Sequence, residues 1–195
     1  MNLYLKKNNN YLKIVIIIYV LLLISSEYPR YYTIFPSLNV YPNNKEESKI
    51  VKRISDGRTK QDIDFFNLTD LSPVDAFLNH TRYSRTELDA MITSPSVLSM
   101  IALTKQYYNR ARPYQVNKEI KYLYSETGNT PSYPAGHAFQ GYFLAAKLSA
   151  EDPANTGEYI RIAEYIDRVR IIAGIHYPSD GALSKYMVDN FGSYL

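Results

Sequence analysis

Seven residues carry side chains or backbone suited to holding and transferring an anionic group: Lys105, Arg112, Gly136, His137, Arg170, His176 and Asp180. Lys105 and Arg112 are seven positions apart, close to two helical turns, so on one helix both cations leave the same face and invite an anion. The plainer reading of that pair is a solvated basic face that also includes Arg110. Pro134-Ala135-Gly136-His137 stands at the mouth of a helix. Unbonded N–H groups and the positive dipole end suit an anionic oxygen there, and Gly136 lets the backbone come close. A histidine in that place can protonate a leaving-group oxygen, although a lone histidine at a helix start is more often simply hydrogen-bonded. Asp180 follows His176 by four residues at the start of a Pro-seeded helix. Its carboxylate can accept from one imidazole nitrogen and leave the other free to attack. Arg170 offers a planar fork for two phosphate oxygens, which a lysine could not match.

In chain order these residues read Lys105-x6-Arg112-Pro113, then Pro134-x-Gly136-His137, then Arg170-x5-His176-x3-Asp180, with 20 and 32 residues between the blocks. The set resembles the signature of the type 2 phosphatidic acid phosphatase superfamily, which also contains the bacterial class A non-specific acid phosphatases and the vanadium haloperoxidases. The likeness runs from Lys105 to Asp180. It implies an all-α helical bundle that hydrolyses phosphomonoesters, lipid phosphates among them, through a phosphohistidine and without a cofactor. It further implies His176 as the nucleophile, Asp180 as the group that orients its ring, and Lys105, Arg112, Arg170 and the Gly136 N–H as phosphate ligands. His137 would protonate the leaving alcohol and then activate water. The same pocket filled with vanadate would instead make a haloperoxidase with His176 on vanadium. Two positions depart from the family pattern. Ala135 stands where the second block usually has serine, a loss of about 1–3 kcal/mol of oxyanion stabilisation if nothing replaces the hydroxyl. Val169 stands where the third block usually has another serine. Both departures motivate a different reading, a catalytically impaired phosphate- or partner-binding module.

Other chemistries are excluded or weak. The chain has no cysteine, which removes disulfides, cysteine zinc sites, iron–sulfur clusters and every cysteine nucleophile. Asp62-Ile-Asp64 looks like the paired aspartates of the haloacid dehalogenase phosphatases. Arg58-Thr59-Lys60-Gln61 precedes it where those enzymes have an apolar strand, so it reads as a solvated pair. There is no nucleophile-elbow serine and no Walker-type phosphate loop. The third histidine, His80, matches no block and reads as structural or surface. Of the 22 basic residues Lys6, Lys7 and Lys13 supply the whole +3 excess, so residues 14–195 are balanced and nucleic acid is not an expected partner. The expected partner is a phosphorylated small molecule or lipid.

The elements that must position these groups follow from the same reading. Residues 1–13 carry three lysines and no acid, and an uninterrupted apolar run fills 14–24. This is the layout of a signal peptide or signal anchor over 1–26, which delivers the rest to a secreted, periplasmic or lumenal place and makes the only expected membrane contact. Asn67-Leu68-Thr69 and Asn79-His80-Thr81 would be glycosylation sequons on a eukaryotic secretory route. Pro29, Pro36 and Pro42 predict an extended arm or linker over 27–60. A helical domain over 61–195 is expected beyond it. Its helices are a capping box at Ser84 and Glu87, a helix over 95–111 with an inward stripe from Val97 to Tyr108, a small-residue helix over 138–148, an amphipathic helix over 158–172 with Ile160 on its stripe, and a Pro178-seeded helix to about 190. Residues 114–135 read as loop.

Overall fold

The computed structural model describes residues 41–195 together with Ile17 and Ile18. The expected signal or anchor at 1–26 otherwise lies outside the described residues, as do residues 27–40. Among residues 41–195 the secondary structure is all α, with eight α-helices, four short 3-10 turns and no strand. The helices are α1 Asn44–Asp56, α2 Lys60–Thr69, α3 Arg85–Ile92, α4 Pro95–Tyr108, α5 Pro113–Val116, α6 Gly136–Glu151, α7 Thr156–Ile172 and α8 Pro178–Phe191. None of the described helices is long and apolar enough to cross a membrane.

Most boundaries have a local cause. The Ser84 and Glu87 side chains form the expected capping box of α3. Thr59 and Asp62 form another at α2, which gives Asp62 a structural task, while Asp64 pairs with Lys60 on the surface. Pro95 and Pro178 occupy the first positions of α4 and α8, where their missing N–H costs no intrahelical bond.

Three expectations are corrected. An extended arm is not what its described part forms, because Asn44–Asp56 is a helix. Pro42 falls just ahead of it, Asn43 caps it through its side chain, Glu46 and Glu47 sit in its first turn and Arg53 in its last. Its buried positions Glu47, Val51 and Ser55 recur every four residues, and the helix packs against α5 and α7. Helix α4 stops at Tyr108 rather than 111, because Asn109 takes the left-handed conformation at φ 43° and returns its N–H to the Lys105 carbonyl. A short helix, α5, interrupts the expected loop at Pro113–Val116.

The core is centred on α6. It lies along α7 and also packs on α8, with Phe139, Phe143 and Leu144 meeting Ile162, Ala163 and Ile166. Gly141 permits the close approach, since a Cβ there would stand 3.3 Å from Ile166 Cδ1 and 3.6 Å from the Ala163 Cα. The inward stripe of α7 runs through Tyr159, Ile162, Ala163, Ile166 and Val169, whereas Ile160 is exposed. That stripe ends on Arg170, the first residue of the third motif block.

Candidate active site

The third block is a helix end, a reversal and a helix start. After α7 the N–H of Gly174 bonds to the Ile171 carbonyl and that of Ile175 to the Arg170 carbonyl. This reversal requires a residue at φ 80°. Gly174 is the residue that can supply it, and a Cβ there would also lie 2.7 Å from Ile120 Cγ2. The turn brings the chain back so that His176 precedes α8 and Asp180 sits in its first turn. Asp180 Oδ2 accepts the Tyr177 N–H at 2.8 Å and lies 3.0 Å from His176 Nδ1. The same carboxylate oxygen therefore helps close the helix start and hold the imidazole. A carboxylate only accepts, so His176 donates from Nδ1 and its other nitrogen, Nε2, is the basic one.

Arg112 stands beside that nitrogen, and Lys105 lines the same cavity. Arg112 Nη1 lies 3.3 Å from His176 Nε2 and donates to the Ile175 carbonyl at 3.0 Å, while its Nε donates to the Thr130 carbonyl at 2.9 Å. Lys105 donates to the Pro131 carbonyl. Burial and then Arg112 hold the Lys105 ammonium well below its ordinary pKa. Lys105 and Arg112 do converge, but not as one helix face: Lys105 is on α4 and Arg112 is the residue that leads into α5. Burial, Arg112 and Lys105 in that order push the His176 imidazole well below its ordinary pKa, which keeps it neutral and nucleophilic. Burial also pushes Asp180 up to about 6, against the opposing charge of Arg110.

His137 and Arg170 meet around a loop that no motif signalled. Arg170 Nη1 pairs with Asp70 at 2.8 Å and Nη2 donates to Thr69 Oγ1 at 2.6 Å, while Nε is buried with no hydrogen-bond partner among the described residues. Burial brings the Arg170 guanidinium down to about 10. His137 Nε2 lies 3.0 Å from the Asp70 carbonyl, an acceptor, so the proton of the neutral ring sits on Nε2. Burial and then Arg170 hold this imidazole well below its ordinary pKa as well. A second proton would enter at Nδ1, and a bound phosphate dianion would favour it.

Lys105, Arg112, Gly136, His137, Arg170 and His176 all line one cavity of about 650 Å³. Asp180 is fully buried behind His176 and does not reach the cavity. Part of the cavity wall is apolar and includes Leu71, Pro73, Ile92, Leu98 and Ile101. At Gly136 an added Cβ would make only ordinary contacts, 3.6 Å from Ile101 and 3.8 Å from Lys105. Among the described residues no group of three or more His, Asp or Glu side chains converges as metal ligands would.

No protein-family model matches the chain, and no curated protein matches it. The geometry therefore stands on its own residues.

Neither departure from the motif lines the cavity. Val169 is fully buried in a cluster with Phe66, Ala173 and Ile175, the last of which does line it. Ala135 is the cap residue of α6 and gives the helix no side-chain hydrogen bond. Its backbone is firmly held: its N–H donates to the Asp180 carbonyl at 3.3 Å, and Ser184 Oγ donates to its carbonyl at 2.9 Å. Those bonds tie the second block to the third.

Sequence reasoning missed five residues that hold the site: Glu47, Thr69, Asp70, Arg110 and Ser179. Arg110 is not part of a solvated basic face; it is fully buried between Glu47 and Asp180. A signal for Glu47 exists, an acid on the buried four-residue stripe of α1. For Asp70, at the end of α2, no spacing marks the role. Thr69, the third residue of one sequon, is buried with its hydroxyl on Arg170. His80 lies elsewhere, 3.2 Å from Glu158 on the surface.

Proposed function

We propose that this protein is a phosphatase that hydrolyses phosphomonoesters through a phosphohistidine on His176. The observation that carries the reading is the buried His176 ring, held by Asp180 at Nδ1, with its Nε2 beside Arg112 in a cavity that Lys105, Arg170 and His137 also line. Phosphoryl transfer asks mainly for positioning and charge stabilisation, and three cations with an uncapped helix start supply both.

In the first step His176 Nε2 attacks phosphorus. The bond to the leaving oxygen breaks, and that oxygen takes a proton from cationic His137. Lys105, Arg112, Arg170 and the first N–H groups of α6 hold the three equatorial oxygens. In the second step neutral His137 takes a proton from water as the water attacks phosphorus, the P–N bond breaks, phosphate leaves and the His176 lone pair is restored. Asp180 stays ionised throughout and stabilises the charge that builds on the ring. The apolar wall favours a leaving alcohol with a hydrocarbon or aromatic part, which includes lipid phosphates.

The test is phosphate release by the purified chain from p-nitrophenyl phosphate and from phosphatidic acid, with and without vanadate, beside His176→Ala. Vanadate-sensitive release that the substitution abolishes is the expected result. Binding of phosphate with no turnover on any substrate would favour the impaired binding module.

A further inference from the structure

We propose that Glu47 and Arg110 are positioning residues for this reaction: Glu47 fixes Arg110, and Arg110 fixes the carboxylate that orients the nucleophilic ring. The inference rests on the proposed reaction for its kinetic readout and on the structure alone for its spectroscopic one.

Arg110 is fully buried and does not line the cavity, so it has no route to substrate. All five of its N–H groups are engaged. Nε donates to Asn44 Oδ1 at 2.9 Å. Nη1 donates to Ser179 Oγ at 2.6 Å and to Asp180 Oδ1 at 2.7 Å. Nη2 donates to Glu47 Oε2 at 2.6 Å and to the Pro42 carbonyl at 3.4 Å. Its flat faces meet aromatic rings, with the guanidinium carbon 3.8 Å from the Tyr177 centroid and 4.4 Å from that of Tyr41.

What separates this node from an ordinary buried ion pair is where its bonds land. Asp180 Oδ2 holds the His176 ring, and Arg110 takes the other oxygen, Oδ1. With both oxygens pinned, the carboxylate cannot rotate away from Nδ1. Glu47 acts on the same unit twice. Its Oε2 holds Arg110 and accepts from Ser179 Oγ at 2.7 Å, while Oε1 accepts the Ser179 N–H at 2.8 Å, in the first turn of the helix that bears Asp180. Helix α1 thereby reaches the nucleophile through two intermediaries, although it contributes no atom to the cavity.

The charged and titratable groups around Asp180 set the sign of a test. His176 and Tyr177 belong to its own segment; Arg110 and Lys105 face it from α4 and the loop beyond, Tyr133 from the loop before α6, Asp167 from α7, and Glu47 stands beyond Arg110 on α1. Removing the Arg110 charge makes Asp180 easier to protonate and so moves the acid limb of the kcat profile to higher pH. Replacing the charge without the fork loosens the geometry and leaves that limb in place.

The experiment uses the full chain and compares wild type with Arg110→Lys, Arg110→Met and Glu47→Gln. It records kcat and KM on p-nitrophenyl phosphate against pH, and the imidazole Nδ1–H proton resonance of His176 without substrate. Arg110→Lys is expected to lower kcat about 30-fold with KM within about threefold and an unmoved acid limb. Arg110→Met is expected to lower kcat about 100-fold, raise the acid limb and broaden or shift the Nδ1–H resonance. Glu47→Gln, the mildest change, serves if the Arg110 variants fail to fold; it is expected to lower kcat about tenfold, leave KM unchanged and shift the Nδ1–H resonance. Folded variants that keep wild-type kcat, or a folded Arg110→Met or Glu47→Gln that loses activity with the Nδ1–H resonance unmoved, overturn the proposal. If wild type releases no phosphate, the proposed function fails while the resonance still decides the positioning: a shift in Arg110→Met or Glu47→Gln supports it, and an identical resonance refutes it.

Discussion

Two histidines of this protein each face a carboxylate at nearly the same distance, His176 at 3.0 Å from Asp180 and His80 at 3.2 Å from Glu158, and each lies by a concavity of similar size, about 650 and about 690 Å³. Their surroundings differ. The His176 side chain is 5% exposed and that of His80 is 38% exposed. His176 shares its cavity with Lys105, Arg112 and Arg170, whereas the groove by His80 is lined by three acids, Glu151, Asp152 and Glu158, beside exposed Arg82. Asp180 is shared with a buried arginine that itself has a second acid; Glu158 is shared with exposed Arg161. The histidine–carboxylate pair is thus not what distinguishes the candidate site. Burial, which keeps the ring neutral, and convergent cations, which receive an anion, do so.

The comparison breaks most visibly if the wrong histidine matters. His176→Ala is expected to lower kcat/KM by about 10³-fold or more, and His80→Ala to leave it within about twofold, both measured as phosphate release. Asp70→Ala sharpens the contrast. It strips Arg170 of its carboxylate partner, and losing one member of a buried pair typically costs about 3–5 kcal/mol. The expected outcome is about a 100-fold loss of kcat/KM together with a lower melting temperature.

The next effect is on pH. His176 must be neutral to attack, and its pKa is depressed, so protonation disarms it only below the ordinary histidine range. His137 must carry a second proton to act as an acid, and its pKa is depressed too, so that proton is lost as pH rises through a range also below the ordinary value of about 6.5. Both shifts move the bell toward acid. Asp180, pushed up to about 6, sets the acid limb, so kcat/KM is expected to peak near pH 6 and to be about tenfold higher there than near pH 8. The smallest effect is at the helix cap. Ala135→Ser offers α6 a cap oxygen, with an expected gain of about 1 kcal/mol in denaturant unfolding.

The legible part of this architecture was local. The cap at Ser84, prolines at helix starts and the stripe of α7 each announce themselves within a few residues, and so does the pairing of His176 with Asp180, four positions apart. Helix α1 was hidden because nearby prolines argued for an arm, although Pro42 lies outside the helix. The long-range bonds had no such signal. Asp70 reaches Arg170 across 100 residues and Glu47 reaches Ser179 across 132, and nothing in either local sequence names its partner. Arg110 and Arg112 are two residues apart and alike in sequence, yet one braces Asp180 from behind and the other lines the cavity. Only the third dimension separates them.

The central claim is that His176 Nε2 becomes covalently bonded to phosphorus. Rapid acid-free quenching of the full chain during turnover of p-nitrophenyl phosphate, followed by peptide mass analysis, tests it directly. The expected result is one phosphoryl group on His176, accumulating more in His137→Ala, where the second step lacks its base. Phosphate release with no phosphoryl group on His176, or with one on another residue, would contradict the account.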